Sequence, residues 1–377
     1  MQKIKLPNGL RDEVGIQATK KDILGQQILR EFRHKGYTRI MTPLLEQEEL
    51  FQNYELKDQM YKLVDANGKM LVLRPDLTLP VARFLANNNV PLPQKFYYLG
   101  ERLSIGRQLS GQANENTQAG VELIGFPSVK AEVECLLVIH WISQKYLQDS
   151  LTVELGDARL VDQVLASLQI DDKVKNQLSD ALFNKNLPAY QELVKQFQDN
   201  PYYSFLKRWP RLFGSVEELV AELTSLQIPP VAQPIINDLV SLAKFVKNNL
   251  AGQSVIIDLS SLVPQKYYTG MIFKAYSGQS NDYVISGGRY DKLLTGFQEA
   301  SAPAVGLGIN IDLLAQLWKK PAGTKNKLVF CQSDAYAKAL QLIAQHSNYS
   351  LALSADLAGA QKEAAQAGME LITVGSE

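Results

Sequence analysis

The stretch that decides the fold is KFYYLGERLSIGRQLSGQANENTQAGVELIGF, residues Lys95–Phe126. It contains the apolar runs Phe96–Leu99 and Val121–Ile124 near its two ends, and its middle is rich in Ser, Gly, Gln and Asn. Apolar runs separated by such residues are typical of two antiparallel strands joined by a loop. The sequence therefore predicts a strand, a long polar loop and a returning strand.

The second of these strands carries polar side chains on one face. Gln118 and Glu122 are four residues apart. Because successive residues of a strand alternate between its two faces, both point the same way, and Gly120 leaves a gap between them. A carboxylate and an amide above a glycine suit a small ligand with an ammonium group. The solvent-facing side of an ordinary hairpin has the same spacing, so these residues alone leave both interpretations open.

Length and composition indicate a multidomain globular protein. A chain of 377 residues is long enough for two or three domains, and 46% apolar with 21% charged residues provides a large core. Lys and Arg together number 39, as do Asp and Glu, so the formal net charge is zero. Proteins that bind nucleic acid usually carry a basic excess or a basic stripe, and neither is visible in this sequence.

The cysteines, the histidines and the hydropathy argue against a disulfide, a metal site, and secretion or membrane spanning. Cys135 and Cys331 are far apart and lack the spacing of a disulfide or zinc site, which favours free thiols in the cytoplasm. The histidines His34, His140 and His346 have no neighbouring His or Cys, so we expect no metal site. There is no N-terminal apolar signal and no run of about 18 apolar residues, so neither secretion nor membrane spanning is predicted.

The residues before the central hairpin predict an exposed edge and another hairpin. A helix is expected over Ile16–Lys35, where Gly36 ends it. The short strand Tyr37–Met41 follows and is ended by Pro43, which is typical of an edge strand and equally of a dimer-forming edge. The stretch Gln59–Leu73 has an Asn-Gly turn between apolar runs and predicts a β-hairpin.

A helix is predicted to start within Arg74-Pro75-Asp76-Leu77-Thr78. Proline is favoured in the first helical turn, and Asp and Thr side chains accept hydrogen bonds from free amides at a helix N-terminus. Capping alone would explain Asp76 and Thr78, so a binding role for them stays open at this point.

The second half of the chain predicts an insertion and a small C-terminal unit. Residues 157–250 have a helical pattern throughout and are expected to form an inserted helical subdomain. Beyond them, Tyr267–Gly270 opens a strand, and GGRYD at 287–291 is expected to form a tight exit from another. After a linker at Pro321–Thr324, residues 325–377 alternate strand and helix as a short α/β unit. Antiparallel hairpins with segregated helices make residues 1–320 an α+β domain.

Six stretches of the sequence resemble the histidyl-tRNA synthetase family of class II synthetases and occur in that family's order. They are GYTRIMTPLLE from Gly36, RPDLT from Arg74, the Tyr97–Gly125 hairpin, YYTG from Tyr267, GGRYD from Gly287 and APAVGLGINID from Ala302. The first, third and last resemble class II motifs 1, 2 and 3. The resemblance implies a class II aminoacyl-tRNA synthetase-like fold, with a six-stranded antiparallel β-sheet flanked by helices, and a homodimer formed through the residues near Pro43.

The resemblance also implies a histidine-binding site. The family's ligands fall on an acid and a threonine of RPDLT, on a glutamine and a glutamate of motif 2, and on the tyrosine pair of YYTG. The implied histidine-binding residues are Asp76, Thr78, Gln118, Glu122, Tyr267 and Tyr268. In such a site the two acids hold the α-ammonium group through charge-assisted hydrogen bonds. The tyrosines provide a flat wall and a hydroxyl group for a ring nitrogen.

Three arginines that the synthetases use on ATP have no counterpart. The motif 2 arginine falls on Ser104 and the motif 3 arginine on Leu313, and residues 259–266 contain no arginine. Lys266 adjoins the tyrosine pair and does not have the arginine's spacing. Removing one preorganised hydrogen-bond donor from a site where charge develops in the transition state lowers the reaction rate by a factor of about 10²–10³. The resemblance therefore implies an amino-acid pocket without the means to adenylate its ligand.

A retained pocket without phosphate chemistry resembles the regulatory subunits of the short-form ATP phosphoribosyltransferase. At most, Arg102 and Arg107 replace part of the positive charge of the three missing arginines. The tail is shorter than an anticodon-binding domain, and zero net charge gives tRNA no electrostatic support. This resemblance implies a cofactor-free, non-catalytic partner of the short-form catalytic subunit in a hetero-oligomer. L-histidine would be its feedback effector in the first step of histidine biosynthesis. A divergent histidyl-tRNA synthetase and a stand-alone histidine sensor remain as alternatives.

Overall fold

The chain divides into two compact units, Met1–Lys319 and Lys320–Glu377. The structure is a computed structural model that describes residues 4–52, 54, 57–106, 113–263, 265, 267–297, 301–319 and 326–375. The expected linker Pro321–Thr324, Arg107 and Lys266 lie outside the described residues.

Helices and strands of the larger unit follow the predicted order closely. Its described helices are α1 Ile16–His34, α2 Thr78–Asn88, α3 Lys130–Tyr146, α4 Ala158–Ser167, α5 Asp172–Phe183, α6 Leu187–Val194, α7 Tyr203–Arg208, α8 Val216–Leu223, α9 Gln233–Asn249 and α10 Ile311–Leu317. Its described strands are β1 Thr38–Arg39, β2 Leu45–Gln47, β3 Lys62–Val64, β4 Met70–Leu73, β5 Gln94–Leu103, β6 Glu115–Ile124, β7 Thr152–Asp157, β8 Phe213–Gly214, β9 Ser254–Asp258, β10 Met271–Tyr276, β11 Tyr283–Arg289 and β12 Ala304–Asn310.

One large sheet organises this unit. In the described residues it has nine strands in the order β1-β5-β6-β12-β11-β10-β7-β9-β8. Among the six central strands, from β5 to β7, every adjacent pair is antiparallel. Strand β1 pairs parallel with β5, and β9 pairs parallel with β7. The implied six-stranded antiparallel sheet and the α+β class are confirmed, with three additional edge strands.

The central hairpin forms as its two apolar runs predict. Strand β5 pairs with β6 over ten residues, from Gln94↔Ile124 to Leu103↔Glu115. One face of the hairpin is apolar and buried, and α1 packs on it, with the rings of Phe32 and Tyr97 5.9 Å apart. Helix α1 ends at His34, and Gly36 follows with a φ of +76°, a backbone conformation that glycine adopts without strain. The opposite face of the hairpin is left for polar side chains.

The GGRYD stretch was expected to be a tight exit, and that expectation is wrong. Strand β11 continues through Gly287 and Gly288 to Arg289, and neither glycine has a positive φ. A side chain at Gly287 would collide with the carbonyl oxygen of Gly306, and one at Gly288 would come within 2.6 Å of the Met271 carbonyl oxygen. These glycines therefore permit close packing of strands and do not make a turn.

The N-terminal hairpin and the insertion also differ in detail from expectation. Strands β3 and β4 form the predicted hairpin, with Gly68 at a φ of +79°, and β2 joins them in a separate three-stranded sheet. The insertion is helical apart from β8, a two-residue strand that pairs with β9 at the edge of the large sheet. Its buried side chains belong to the same apolar core as those of the sheet.

The smaller unit is an α/β arrangement, as predicted. It comprises β13 Lys327–Cys331, α11 Tyr336–Gln345, β14 Tyr349–Leu351, α12 Leu357–Ala367 and β15 Glu370–Val374. Its strands are parallel, in the order β14-β13-β15. Throughout the described part of the chain, no helix has the length and apolar character required to cross a membrane. Both cysteines are free, with Cys135 buried and Cys331 half-buried.

Candidate functional site

The polar face of β6 lies above two glycines of β12. The strands pair in register, so that Glu122 is opposite Gly306, and Gln118 is four residue pairs further along, two beyond Gly308. A side chain at Gly306 would overlap the Glu122 carboxylate, and one at Gly308 would come within 2.5 Å of Gln118 Nε2. Gly306 and Gly308 therefore provide the space that the side chains of Glu122 and Gln118 occupy.

Tyr98 fills the gap that was expected above Gly120. The two residues are directly opposite each other on β5 and β6, and a side chain at Gly120 would collide with the phenol of Tyr98. The Tyr98 hydroxyl donates to Glu122 Oε1 over 3.1 Å and accepts from Gln118 Nε2 over 3.3 Å. The expectation of an open glycine floor is therefore wrong here: a tyrosine hydroxyl bridges the amide and the carboxylate.

Glu122 is the buried centre of the site. Only 1% of the residue is exposed, and its carboxylate accepts hydrogen bonds from the hydroxyls of Tyr98, Tyr290 and, over 2.9 Å, Thr78. Burial raises the pKa of Glu122 to about 8, even though the hydrogen bonds from Tyr290 and Thr78 lower it. The neighbouring charge of Asp76 raises it further. Much of the population therefore carries a neutral carboxyl group here near pH 7.

Asp76 accepts hydrogen bonds from the first turn of α2 and from the tyrosine pair, and its role in binding stays a prediction. Its Oδ1 accepts from the Leu79 amide over 2.8 Å, which satisfies a free N–H in the first turn of α2. Its Oδ2 accepts from the Tyr267 hydroxyl over 3.2 Å, which ties it to the site. Burial raises the pKa of Asp76, and the charge of Arg102 acts in the opposite direction. Thr78 was a candidate cap, but its hydroxyl donates to Glu122.

The tyrosine pair forms one wall of the site. The rings of Tyr267 and Tyr268 are 4.8 Å apart and tilted by 47°, and Tyr290 is 6.1 Å from Tyr267. The wall is fixed to the end of β11, because the Thr269 amide donates to the Arg289 carbonyl oxygen over 2.7 Å. All six predicted residues thus join one network through Tyr98 and Tyr290. Neither of these tyrosines was predicted as a site residue, although Tyr290 lies within the GGRYD motif.

A cavity of about 580 Å³ adjoins the tyrosine wall. Its lining includes Tyr54, Leu79, Tyr267 and Thr269. This volume lies within the range of small-molecule sites. Of the six predicted residues, only Tyr267 is part of the lining, and its hydroxyl is hydrogen-bonded to Asp76. The described residues contain no group of three or more His, Cys, Asp or Glu side chains placed to hold a metal ion.

The positions of the missing arginines are occupied by uncharged side chains in local contacts. Ser104 Oγ is 3.4 Å from Gln59 Oε1. Leu313 packs partly buried against the apolar core, and its amide donates to the Asn310 side chain at the start of α10. Arg74, in the RPDLT motif, is also unavailable, because it donates to backbone carbonyl oxygens that include that of Thr42, 2.6 Å away.

Several known proteins are similar to this chain in sequence. The family model for histidyl-tRNA synthetase matches residues 9–314. Proteins named ATP phosphoribosyltransferase regulatory subunit from Lactiplantibacillus plantarum and Limosilactobacillus fermentum are each 43% identical to this chain. These matches cover 99% and 100% of this chain and 98% of each relative.

Solved structures show the same fold. One titled an ATP phosphoribosyltransferase regulatory subunit/histidyl-tRNA synthetase, from Bacillus halodurans, has a TM-score of 0.83 at 26% identity and covers 99% of this chain and 98% of its own. Histidyl-tRNA synthetase from Nostoc has a TM-score of 0.75 at 18% identity, covers 99% and 92% respectively, and supports the fold alone. The chain belongs to the histidyl-tRNA synthetase family and, within it, to the ATP phosphoribosyltransferase regulatory subunits.

Proposed function

We propose that this chain is the non-catalytic regulatory subunit of a short-form ATP phosphoribosyltransferase. In this proposal it is required for transferase activity and for feedback inhibition by L-histidine in the first step of histidine biosynthesis. The observation that carries the proposal is the contrast within one site. The buried acids and tyrosines form a continuous network, while Ser104 and Leu313 occupy the positions of phosphate-binding arginines.

The chemistry of the network supports an amino acid as effector. Asp76 and Glu122 are both acids whose pKa is raised by burial, so a bound ammonium group would stabilise their charged forms. Tyr267 and Tyr268 offer an aromatic surface against which an imidazole ring packs, and Gln118 adds an amide for a polar contact. Histidine carries both groups that this arrangement would recognise.

Regulation requires two states of the assembly that differ in histidine affinity. A coupling free energy of about 1–3 kcal/mol between the histidine site and the active site of the partner suffices for useful feedback. By linkage, a substrate bound to the partner would then change histidine affinity by the same factor. The subunit thus needs no catalytic group of its own.

A homodimer through the residues near Pro43 is part of the proposal. Leu45 and Leu63 lie on one face of the small sheet and are 44% and 43% exposed. Met41 and Leu44, on either side of Pro43, are 81% and 43% exposed. Exposed apolar side chains concentrated in this way are typical of protein interfaces. The free cysteines and the balanced charge support a cytoplasmic protein that does not bind tRNA.

The deciding experiment is to assay the short-form catalytic subunit alone and mixed with this chain, with and without histidine. We expect transferase activity only in the mixture, and inhibition of that activity by histidine. Histidine-dependent exchange of pyrophosphate into ATP by this chain alone would support a divergent synthetase instead. Histidine binding without any effect on the transferase would support a stand-alone sensor.

A further inference from the structure

A second cavity, of about 440 Å³, lies on the other face of the large sheet. Arg289 pairs with Val305, which pairs with Leu123, so Arg289 lies on the face opposite to Glu122. The lining includes residues from the start of α3, from α9 and from the beginning of β10. We refer to this cavity as the rear groove, defined by Val129, Glu132, Arg159, Asp238, Phe245 and Asp291.

The two arginines of the rear groove are already engaged by carboxylates. Arg289 donates to Glu132, with one contact of 2.7 Å, and to Asp291 over 3.1 Å. Arg159 makes two hydrogen bonds to Asp157, of 2.9 and 2.7 Å. Their guanidinium groups therefore have little capacity left to attract an anionic partner.

The rear groove keeps an excess of negative charge. The hydrogen bond to Asp157 raises the pKa of Arg159, and the charges of Asp238 and Asp291 raise it further. Among the lining residues, Glu132, Asp238 and Asp291 are three carboxylates against the two guanidinium groups of Arg159 and Arg289, a net charge of −1. Asp238 is exposed on α9, and neither arginine donates a hydrogen bond to it. Apolar side chains stand beside these charges, with Val129 55% exposed and Phe245 37% exposed. The groove thus offers acidic and apolar surface side by side.

The segment Arg289-Tyr290-Asp291 connects the rear groove to the proposed histidine site. Tyr290 donates to Glu122 on one face of the sheet, while its chain neighbours Arg289 and Asp291 line the groove on the other. Thr269 follows the tyrosine pair and reinforces the connection, because its Oγ1 accepts from the Asp291 amide over 2.8 Å. A displacement of Tyr290 would therefore move the side chains that line the groove.

We propose that the rear groove is the docking site for a segment of the catalytic subunit in which a lysine or arginine stands beside aliphatic side chains. Charge complementarity identifies this occupant, since the groove has a net negative charge and Asp238, an exposed acid that neither arginine bonds, shares the groove with exposed apolar side chains. The segment Arg289-Tyr290-Asp291 then links occupancy of the groove to occupancy of the histidine site. This inference rests on the proposed function, because it needs a catalytic subunit to dock.

Charge reversal at the rim tests the docking site. In Asp238→Lys we expect affinity for the catalytic subunit to fall by about tenfold, and the binding of wild-type protein to weaken as salt is raised. The matched control is Asp180→Lys, an exposed aspartate on α5 outside the groove, which should bind like wild type. Histidine affinity of the isolated Asp238→Lys chain should be unchanged. Equal affinities for wild type and Asp238→Lys would overturn the inference.

Photo-crosslinking provides an independent test that does not depend on a charge change. A photoreactive phenylalanine analogue at Phe245 should crosslink to the purified catalytic subunit, at a peptide with a basic residue beside aliphatic ones. The same analogue at Phe183, which is 46% exposed on α5, should not. Absence of crosslinking at Phe245 in an active complex would contradict the docking site alone. A wild-type chain that fails to activate the transferase would contradict the proposed function itself.

Discussion

Histidine binding should release a proton from Glu122. The free protein holds this carboxyl at a pKa of about 8 because it is buried, so at pH 7 about nine in ten molecules carry the proton. An ammonium group favours the carboxylate, so binding drives the proton off. We expect release of about 0.9 proton at pH 7, and a rise in affinity of about eightfold between pH 7 and pH 8.5. The sign follows from the raised pKa, because affinity increases until the free carboxyl is fully ionised.

Isothermal titration calorimetry in phosphate and in Tris at the same pH measures this proton directly. The two buffers differ in ionisation enthalpy, so the difference in observed heat gives the number of protons released. Glu122→Gln is the control, since its amide resembles the neutral carboxyl but cannot titrate. It should bind histidine more weakly and lose the release seen in wild type. Zero release at pH 7 in wild type, with affinity that is flat up to pH 8.5, would refute the reasoning.

Three further substitutions test the packing beside Glu122, the proposed dimer face and the ion pair between Arg289 and Glu132. In Gly306→Ala the added methyl group overlaps the Glu122 carboxylate, so overpacking should lower the free energy of unfolding by about 1–3 kcal/mol in urea titrations, and the displaced carboxylate should weaken histidine binding in calorimetry; wild-type stability and affinity would contradict this. Leu63→Glu places a charge in the proposed dimer face and should give a monomer by analytical ultracentrifugation, whereas an intact dimer would exclude that face. Arg289→Met leaves Glu132 buried without its partner and should lower the free energy of unfolding by about 3 kcal/mol in urea titrations; a loss below about 1 kcal/mol would show that the ion pair matters little.

The fold could be predicted where local patterns carry the information. Two apolar runs around a polar loop in Lys95–Phe126 identified two antiparallel strands, and the face shared by Gln118 and Glu122 followed from the period of a strand. What the pattern could not give was the cross-strand register. A polar loop separates the two strands, so the pairing of Tyr98 with Gly120 depends on tertiary contacts and cannot be counted from the sequence.

Local sequence rules predicted the wrong role for the paired glycines of β11, which were expected to make a tight exit from the strand. Paired glycines usually mark a turn, but Gly287 lies where the backbone of β12 approaches closely, as the overlap with the Gly306 carbonyl oxygen demonstrates. Close approach is a property of neighbouring strands in the assembled sheet. A single sequence gives no sign of it.

The sequence predicted the acids and the tyrosine pair as site residues. It did not predict the bridging hydroxyls of Tyr98 and Tyr290. Glu122 and Tyr290 are 168 residues apart in sequence, and their hydrogen bond exists only because β12 pairs with β6 on one side and with β11 on the other. Tyr98 was hidden in an apolar run, where a tyrosine is as readily a core residue. Burial, which sets the pKa of Glu122, is likewise a consequence of the whole fold.

Histidine titration of the reconstituted transferase, with wild-type subunit and with Glu122→Ala, tests the central claim most directly. Both versions of the subunit should assemble with the catalytic subunit and activate it, since Glu122 is buried and lies on the sheet face opposite the rear groove. Histidine should inhibit the wild-type complex and leave the Glu122→Ala complex active. An identical inhibition curve for the two complexes would contradict the assignment of this site as the histidine sensor.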